Sequence, residues 1–352
     1  MLRRLLSVSI LLPAILLLLW LDFYLGSSDG LAMPGLIMAV IAIVLGSIMA
    51  LEIRAFWTFK PSESGSNFNG RSNDALKENL RKKLEVQGEL PSVRCLISGT
   101  VIMLTTACLL PVCLPVVMPI QPTLSAASIL EDVRSTGNAT PIQFSFYGLI
   151  AAVTWTFAVE MYRFKGEKEQ AGVIANRISR SVLVYVYVLM LLGFLIPHRW
   201  LFDDNRVGLI ALIGLIATVK MSDSFAYFVG KSMGTVKLAP ELSPKKTVQG
   251  ACGAILGGVV ASFIVFYSVA PFLLGVTHFL PIGWVVVYAV LISAAAMFGD
   301  LAESLLKRDA SCKDSGSMLP GMGGMLDVLD SLVFAAPVSY MLWQWQSTWA
   351  GG

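Results

Sequence analysis

The stretch "GACGAILGGVVASFIVFYSVAPFLLG", Gly250 to Gly275, runs for 26 residues without a charged side chain. A helix needs about 20 largely apolar residues to cross the hydrocarbon layer of a bilayer, so this run is long enough to span a membrane. Gly253 and Gly257 lie four residues apart, the spacing of a small-residue face that lets two membrane helices pack closely. The stretch therefore predicts a membrane-spanning helix packed against a neighbour.

The whole chain has the same character. Apolar residues make up 56% and charged residues 14%, with a mean hydropathy of +0.72. Soluble domains are less apolar and more charged, so the composition indicates an integral membrane protein. We predict an all-α polytopic membrane protein with about nine transmembrane helices. The apolar runs cover residues 5–26, 31–51, 95–119, 144–162, 182–197, 207–230, 250–275, 280–299 and 328–345.

Basic residues predict the orientation of these helices. With a cytoplasmic N-terminus, the inner segments hold 22 of the 26 Lys and Arg residues, which agrees with the positive-inside rule. These inner segments are 1–4, 52–94, 163–180, 231–249 and 300–327. An odd number of spans then places the C-terminus outside.

The chain divides by composition into four parts. They are N-terminal membrane helices (1–51), a cytoplasmic linker with an amphipathic helix (52–94), middle membrane helices (95–206) and a catalytic membrane domain with its site at the cytoplasmic face (207–352). Leu76, Leu80 and Leu84 recur every four residues in the linker, which is typical of a helix lying on a membrane surface.

Several classes of site are excluded by what the sequence contains. Its five cysteines show no metal-binding spacing and it has only two histidines, so neither a disulfide framework nor a zinc site is expected. A net charge of +3 is too small to indicate nucleic-acid binding, and membrane topology explains the basic excess.

The first two polar pieces of the last third lie near the predicted cytoplasmic side. "KMSDSFAYFVGK" (220–231) places Asp223 inside an apolar run, where an ionisable group marks a candidate functional site. Pairing with Lys220 would be the structural alternative. "LSPKKTVQG" (242–250) predicts a turn at Pro244 and a basic loop that leads into a helix N-terminus. Such a place suits a phosphate, because free N–H groups and the helix dipole point at it.

Two further pieces follow in the segment that leads to the last span. "GDLAESLLKRD" (299–309) places Asp300, Ser304 and Lys307 on one helical face, with Glu303 beside them. "KDSGSMLPGMGGMLDVLD" (313–330) ends with Asp327 and Asp330 on one face of the last helix, where they would either cap that helix or serve a site.

Together the four pieces predict one site. Carboxylate oxygens suit Mg²⁺, and Mg²⁺ beside Lys and Arg suits phosphoryl or nucleotidyl transfer. The chain contains neither a Walker A motif nor G-x-G-x-x-G, so a P-loop or Rossmann site is excluded.

The same residues resemble the signature of the phosphatidate cytidylyltransferases, also called CDP-diacylglycerol synthases. That pattern runs S-x-x-K-R, four residues, K-D, then P-G-H-G-G and D-R-x-D. "DSFAYFVGK" and "LSPKKTVQG" are similar to two upstream motifs of the family, and the detailed likeness covers about 220–345. Three positions depart from the pattern: Met322 replaces His, Val328 replaces Arg, and Gln249 replaces Glu.

The resemblance implies roles for individual residues. Asp300 and Asp327 would bind Mg²⁺, leaving a second cation open, and Lys313 and Asp314 would complete the catalytic group. The residues implied in substrate binding are Asp223, Ser243, Lys245, Lys246, Thr247, Ser304, Lys307, Arg308, Gly321, Gly323, Gly324 and Asp330.

The resemblance also implies the reaction CTP plus phosphatidate giving CDP-diacylglycerol and pyrophosphate. The lipid would arrive sideways from the inner leaflet of the cell membrane, and no nucleic acid takes part. A homodimer is left open. The alternatives are another CTP-dependent membrane enzyme, such as a polyprenol kinase or a CDP-archaeol-type synthase, and a non-catalytic relative or transporter. A transporter would place its charges near mid-bilayer, whereas here they gather at one face.

Overall fold

The computed structural model describes residues 36–58, 90–109, 141–164, 171–200, 205–276, 279–309 and 324–350. Its helices are α1 (Leu36–Thr58), α2 (Val93–Leu104), α3 (Pro141–Arg163), α4 (Val173–Leu195), α5 (Asn205–Met233), α6 (Val248–Ile264), α7 (Ala270–Leu274), α8 (Ile282–Asp309) and α9 (Met325–Ala350). π-Helical turns extend α2 over Thr105–Leu109 and join α6 to α7 over Val265–Val269, and a 3₁₀ turn, Ile196–Trp200, follows α4.

These helices form a polytopic bundle. Among the described residues, six helical segments are long and apolar enough to cross a membrane: α3, α4, α5, the joined α6 and α7, α8, and α9. The chain is therefore a multi-pass, predominantly helical membrane protein, as the composition predicts. The core between the helices is rich in aromatic side chains, including Phe266, Tyr288 and Trp343.

Most predicted spans coincide with described helices. Each run from 31–51 onward has a counterpart among the described helices. The first run, the amphipathic helix at Leu76–Leu84 and both chain ends lie outside the described residues. The count of nine and the orientation therefore stay predictions. The fifth run, 182–197, lies within a longer helical stretch, since α4 begins at Val173. The first turns of α4 contain Arg177, whose Nη1 lies 3.2 Å from Oε2 of the buried Glu160 of α3. Because this ion pair neutralises its charge, Arg177 can lie in a packed helix instead of a loop.

Glycine brings α5 and α6 into direct contact. A Cβ atom built on Gly253 would lie 2.6 Å from Cβ of Val229, and one on Gly257 would lie 2.6 Å from Cβ of Phe225. Only a hydrogen fits at either position, so the predicted small-residue packing face is confirmed.

A short hairpin connects α5 to α6, which the all-α prediction did not contain. Strand β1 (Lys237–Ala239) pairs antiparallel with β2 (Ser243–Thr247), with Lys237 opposite Thr247. The predicted turn at Pro244 is wrong, because Pro244 lies within β2. Each strand of a two-stranded hairpin has an unpaired edge, where the missing N–H of proline costs no hydrogen bond.

Gln249 in the first turn of α6 ties down the base of this hairpin. Its Oε1 accepts hydrogen bonds from the backbone N–H groups of Thr235 (3.1 Å) and Val236 (3.2 Å), and its Nε2 donates to Oγ1 of Thr235 (2.6 Å). Gln249 thus has a structural role at the base of the hairpin, and a glutamate could make the same three contacts with the Thr235 hydroxyl as the donor.

Candidate active site

Three carboxylates converge where the end of α8 meets the start of α9. One carboxylate oxygen from each of Asp300, Glu303 and Asp330 lies within 4.8 Å of the other two. Asp300 and Glu303 share a face of α8 because they are three residues apart. Gly299 lets α9 come close, since a Cβ atom there would lie 2.5 Å from the backbone oxygen of Asp330. We call these three residues the carboxylate triad.

Two lysines flank the triad, one from the hairpin and one from α8 itself. Lys246 of β2 reaches across so that its Nζ lies 2.7 Å from Oδ2 of Asp300. Lys307, one turn beyond Glu303 on α8, lies 2.7 Å from Oε2 of Glu303 and 2.7 Å from Oδ1 of Asp327. The hairpin and α8 therefore each bring an ammonium group to the carboxylates, as a site for phosphates requires.

Asp327 occupies a different position from the triad. Its Oδ1 accepts a hydrogen bond from Nζ of Lys307, and its Oδ2 accepts one from the backbone N–H of Gly324, both at 2.7 Å. Asp327 thus caps α9 and pairs with a lysine, while Asp330 is the α9 carboxylate that joins Asp300. The Asp300–Asp327 metal pair implied by the resemblance stays a prediction.

Asp223 is linked to the triad through a hydroxyl group. Oγ of Ser331 lies 2.9 Å from Oδ2 of Asp223 and 2.9 Å from Oδ1 of Asp330, so its single proton can serve either carboxylate. Lys220, one turn earlier on α5, has its Nζ 3.8 Å from Oδ2 of Asp223. The pairing of Asp223 with Lys220, which was the structural alternative to a functional role, is present together with the link to Asp330.

The charges of this cluster suit a divalent cation. The carboxylates of Asp223, Asp300, Glu303, Asp327 and Asp330 face the three ammonium groups of Lys220, Lys246 and Lys307. If all are ionised, the excess equals the charge that one divalent cation would neutralise. Glu303 is fully buried and shares Lys307 with Asp327, so one ammonium group faces two carboxylates. Oxygen ligands that outnumber the nearby cations fit an oxygen-ligated Mg²⁺.

The structure brings together only part of the predicted set. Asp223, Lys246, Asp300, Lys307, Asp327 and Asp330 lie in one cluster. Ser304 is half-buried one turn beyond Asp300, and Ser243 is half-buried at the start of β2. Lys245 is exposed on the hairpin, and Arg308 is exposed with its Nε 3.4 Å from the backbone oxygen of Leu242. Lys313, Asp314, Gly321, Met322 and Gly323 lie outside the described residues.

Thr247 has a structural contact as well as its predicted role. Its hydroxyl oxygen accepts a hydrogen bond from the backbone N–H of Gly250 (3.1 Å), so it is the N-cap of α6. This confirms a helix N-terminus directly after the lysine pair. Phosphate binding there stays a prediction.

Three polar contacts at this site were not assigned from the sequence. The sequence motifs give Glu303 no role of its own, although its helical spacing from Asp300 and Lys307 places it on their face. Lys220 donates a hydrogen bond (2.9 Å) to the backbone oxygen of Val328, the position where the family pattern has arginine. Glu52 of α1 accepts hydrogen bonds from the backbone N–H groups of Met325 and Leu326, both at 2.8 Å, and no local pattern indicates this contact.

The fold and site define a multi-pass membrane protein with a cluster of carboxylates and lysines at one end of its bundle. A sequence model described as "Cytidylyltransferase family" matches residues 96–345, well over half of the chain. The chain belongs to the cytidylyltransferase family, which confirms the resemblance found in its motifs.

Curated relatives carry a more specific name. The chain is 39% identical over 163 residues to a protein named phosphatidate cytidylyltransferase from Chlamydia muridarum, covering 46% of this chain and 50% of that protein. Proteins of the same name match from Thermotoga maritima (36% over 176 residues, 49% of this chain and 61% of that protein) and Bacillus subtilis (38% over 169 residues, 47% and 58%). The chain thus spans about half the length of the curated relatives it matches.

Proposed function

We propose that this protein transfers the cytidylyl group of CTP to phosphatidate, giving CDP-diacylglycerol and pyrophosphate. The observation that carries the proposal is the carboxylate triad, Asp300, Glu303 and Asp330, held beside Lys246 and Lys307 at one end of a membrane bundle. Membership of the cytidylyltransferase family and the names of the similar proteins support the same reaction.

The proposed reaction needs neutralisation of charge more than proton transfer. A phosphate oxygen of phosphatidate attacks the α-phosphorus of CTP, the bond from that phosphorus to the bridging oxygen breaks, and pyrophosphate leaves with the electron pair. The attacking oxygen is already ionised at neutral pH, so no strong general base is required. The main barrier is repulsion between a lipid phosphate and a triphosphate, which positioned charges lower.

The residues of the cluster can be given parts in this scheme. Asp300, Glu303 and Asp330 would hold Mg²⁺, which when bound neutralises charge on the phosphate oxygens. Asp327 remains a proposed ligand together with Asp300, and its partner Lys307 would then be available to a phosphate. We assign Lys246 to the phosphates as well, and the exposed Lys245 and Arg308 to approaching substrate.

Orientation and location form part of the same proposal. The site would face the cytoplasm, where CTP is found, in a protein of the inner cell membrane with nine spans and a cytoplasmic N-terminus. The basic residues Lys246, Lys307 and Arg308 lie near the same end of the bundle as Arg54, whose Nε donates a hydrogen bond to the backbone oxygen of Pro91. This clustering supports an inward-facing end.

Cysteine labelling tests the orientation. In a background with the native cysteines replaced, Glu241→Cys on the hairpin should resist a reagent that cannot cross the membrane. Val276→Cys, beyond the far end of α7, should react with it. Labelling of position 241 from outside would refute a cytoplasmic site.

Radiolabelled CTP separates the proposed reaction from its rivals. The purified protein should move label from α-³²P-CTP, but not from γ-³²P-CTP, into lipid when phosphatidate is the acceptor. Transfer of γ-label to a polyprenol would identify a kinase. Preference for an archaeal ether-lipid acceptor would identify a CDP-archaeol-type synthase. No transfer to any acceptor, in a preparation that is folded, would contradict an enzymatic role.

A further inference from the structure

The first turn of α9 is held by a carboxylate from the opposite end of the chain. Both oxygens of Glu52 are engaged, since Oε1 accepts the N–H of Met325 and Oε2 accepts the N–H of Leu326, each at 2.8 Å. Glu52 is only 8% exposed, so these hydrogen bonds form largely out of contact with water. Glu52 also lies outside residues 96–345, the part matched by the family model.

This arrangement completes a helix cap that the local sequence supplies only in part. The first N–H groups of a helix have no partner within it, and a Ser, Thr, Asp or Asn side chain just before the helix normally accepts one of them. That position is Gly324, which has no side chain to offer. Asp327 reaches back to the N–H of Gly324, and Glu52 takes the next two. Two carboxylates thus satisfy three donors at the positive end of the helix dipole.

The same turn carries the carboxylates of the site. Asp327 directly follows the two residues that Glu52 holds, and Asp330 lies one helical turn further. The direction in which α9 starts therefore decides where these carboxylates stand relative to Asp300 and Glu303 of α8. Lys220 of α5 donates a hydrogen bond to the same turn, at the backbone oxygen of Val328.

We propose that Glu52 is a positioning residue of the active site, which sets the first turn of α9 so that Asp327 and Asp330 meet the carboxylates of α8. It touches no reacting atom and acts through the backbone of Met325 and Leu326. The expected effect on kcat rests on the function proposed above. The hydrogen bonds from Met325 and Leu326 to Glu52 can be tested in the protein without substrate.

Amide hydrogen exchange of the purified full-length protein tests the structural part. The N–H groups of residues 325 and 326 should be protected in the wild type, although first-turn amides are ordinarily open to exchange. Glu52→Gln retains only one oxygen acceptor and should speed their exchange at least about tenfold. Rapid exchange already in the wild type would overturn the proposal without the need for any variant.

Steady-state kinetics test whether the cap matters for the site. Glu52→Gln should lower kcat at least about tenfold while KM for CTP stays within about threefold, because the misplaced groups act in the transition state. Glu52→Asp keeps the charge and should recover part of the lost kcat. Faster exchange at residues 325 and 326 with unchanged kcat would show that Glu52 caps α9 and positions nothing.

Glu160→Gln is the matched control. Glu160 is also buried, and its Oε2 lies 3.2 Å from Nη1 of Arg177. This variant therefore also removes a buried negative charge, here one paired with an arginine instead of with backbone N–H groups. It should leave exchange at residues 325 and 326, and kcat per folded molecule, at wild-type values. Equal losses in both variants would mean general destabilisation and overturn the proposal. If the wild type makes no CDP-lipid, the proposed function falls, and the exchange data still decide whether Glu52 holds α9.

Discussion

Replacing Gly299 by alanine tests how strictly the distance between α8 and α9 sets the site. The new Cβ atom would lie 2.5 Å from the backbone oxygen of Asp330. Ordinary van der Waals contact begins at about 3.4 Å, so α9 must move away from α8 by about 0.9 Å. Because the obstacle is backbone at the start of a packed helix, no side-chain rotation can relieve it.

The expected consequence is a large loss of turnover in a protein that remains folded. A displacement of about 1 Å in an active site can cost roughly a hundredfold in rate, and we expect Gly299→Ala to lower kcat by about that factor. Overpacking should also cost about 1–3 kcal/mol of stability. Transfer of α-³²P label to phosphatidate measures the rate, and thermal unfolding in detergent measures the stability.

Gly283→Ala on the same helix is the control. A Cβ atom at Gly283 meets nothing within 4 Å, so this variant adds the same methyl group without a clash. It should keep wild-type turnover. Its free energy of unfolding should rise by at most about 0.5–1 kcal/mol, because alanine has a better helix propensity than glycine. Wild-type kcat in Gly299→Ala would refute the claim that close contact between α8 and α9 at Asp330 shapes the site.

Three further predictions concern single side chains. Asp300→Asn and Asp327→Asn should each reduce turnover at least about a hundredfold, on the order of 2.7 kcal/mol, and the double variant should be little worse. An active Asp327→Asn variant with unchanged Mg²⁺ dependence would show that Asp327 only caps α9. Met322→His should stay within about tenfold of wild-type activity, roughly 1.4 kcal/mol, because the proposed reaction needs charge neutralisation and not an imidazole. A change of several orders of magnitude would give position 322 a direct chemical role. Lys220→Met should lower kcat about tenfold through loss of its hydrogen bond to the first turn of α9, whereas Lys231→Met, an exposed lysine on the same helix, should not.

The spans were predictable because their signal is local. A run of apolar residues needs no partner to be recognised, and the packing face of Gly253 and Gly257 follows from their spacing. The start of α4 was missed because Arg177 and its neighbours resemble a cytoplasmic loop. The burial of Arg177 depends on Glu160 of another helix, and that contact has no local pattern.

The site was predictable as a set of residues but not as a geometry. The motifs identify Asp300, Asp327 and Asp330, whereas only the approach of two helices decides that Asp330 joins Asp300 while Asp327 turns back to the helix cap. Glu303 could have been found from its helical spacing. Glu52 could not, since a carboxylate near the end of an apolar helix is expected to face water.

The contact between Glu52 and α9 also has a consequence for biosynthesis. Glu52 leaves the ribosome long before its partner, since 273 residues separate it from Met325. At about 5–20 residues per second, the carboxylate waits roughly 14–55 s before α9 is made. As that interval ends, α2 to α8 have been synthesised, yet the carboxylate of Glu52 still lacks the backbone N–H groups that it binds in the fold. Insertion of α9 therefore adds Asp327 and Asp330 to the site and, in the same step, gives the buried carboxylate of Glu52 its hydrogen-bond donors.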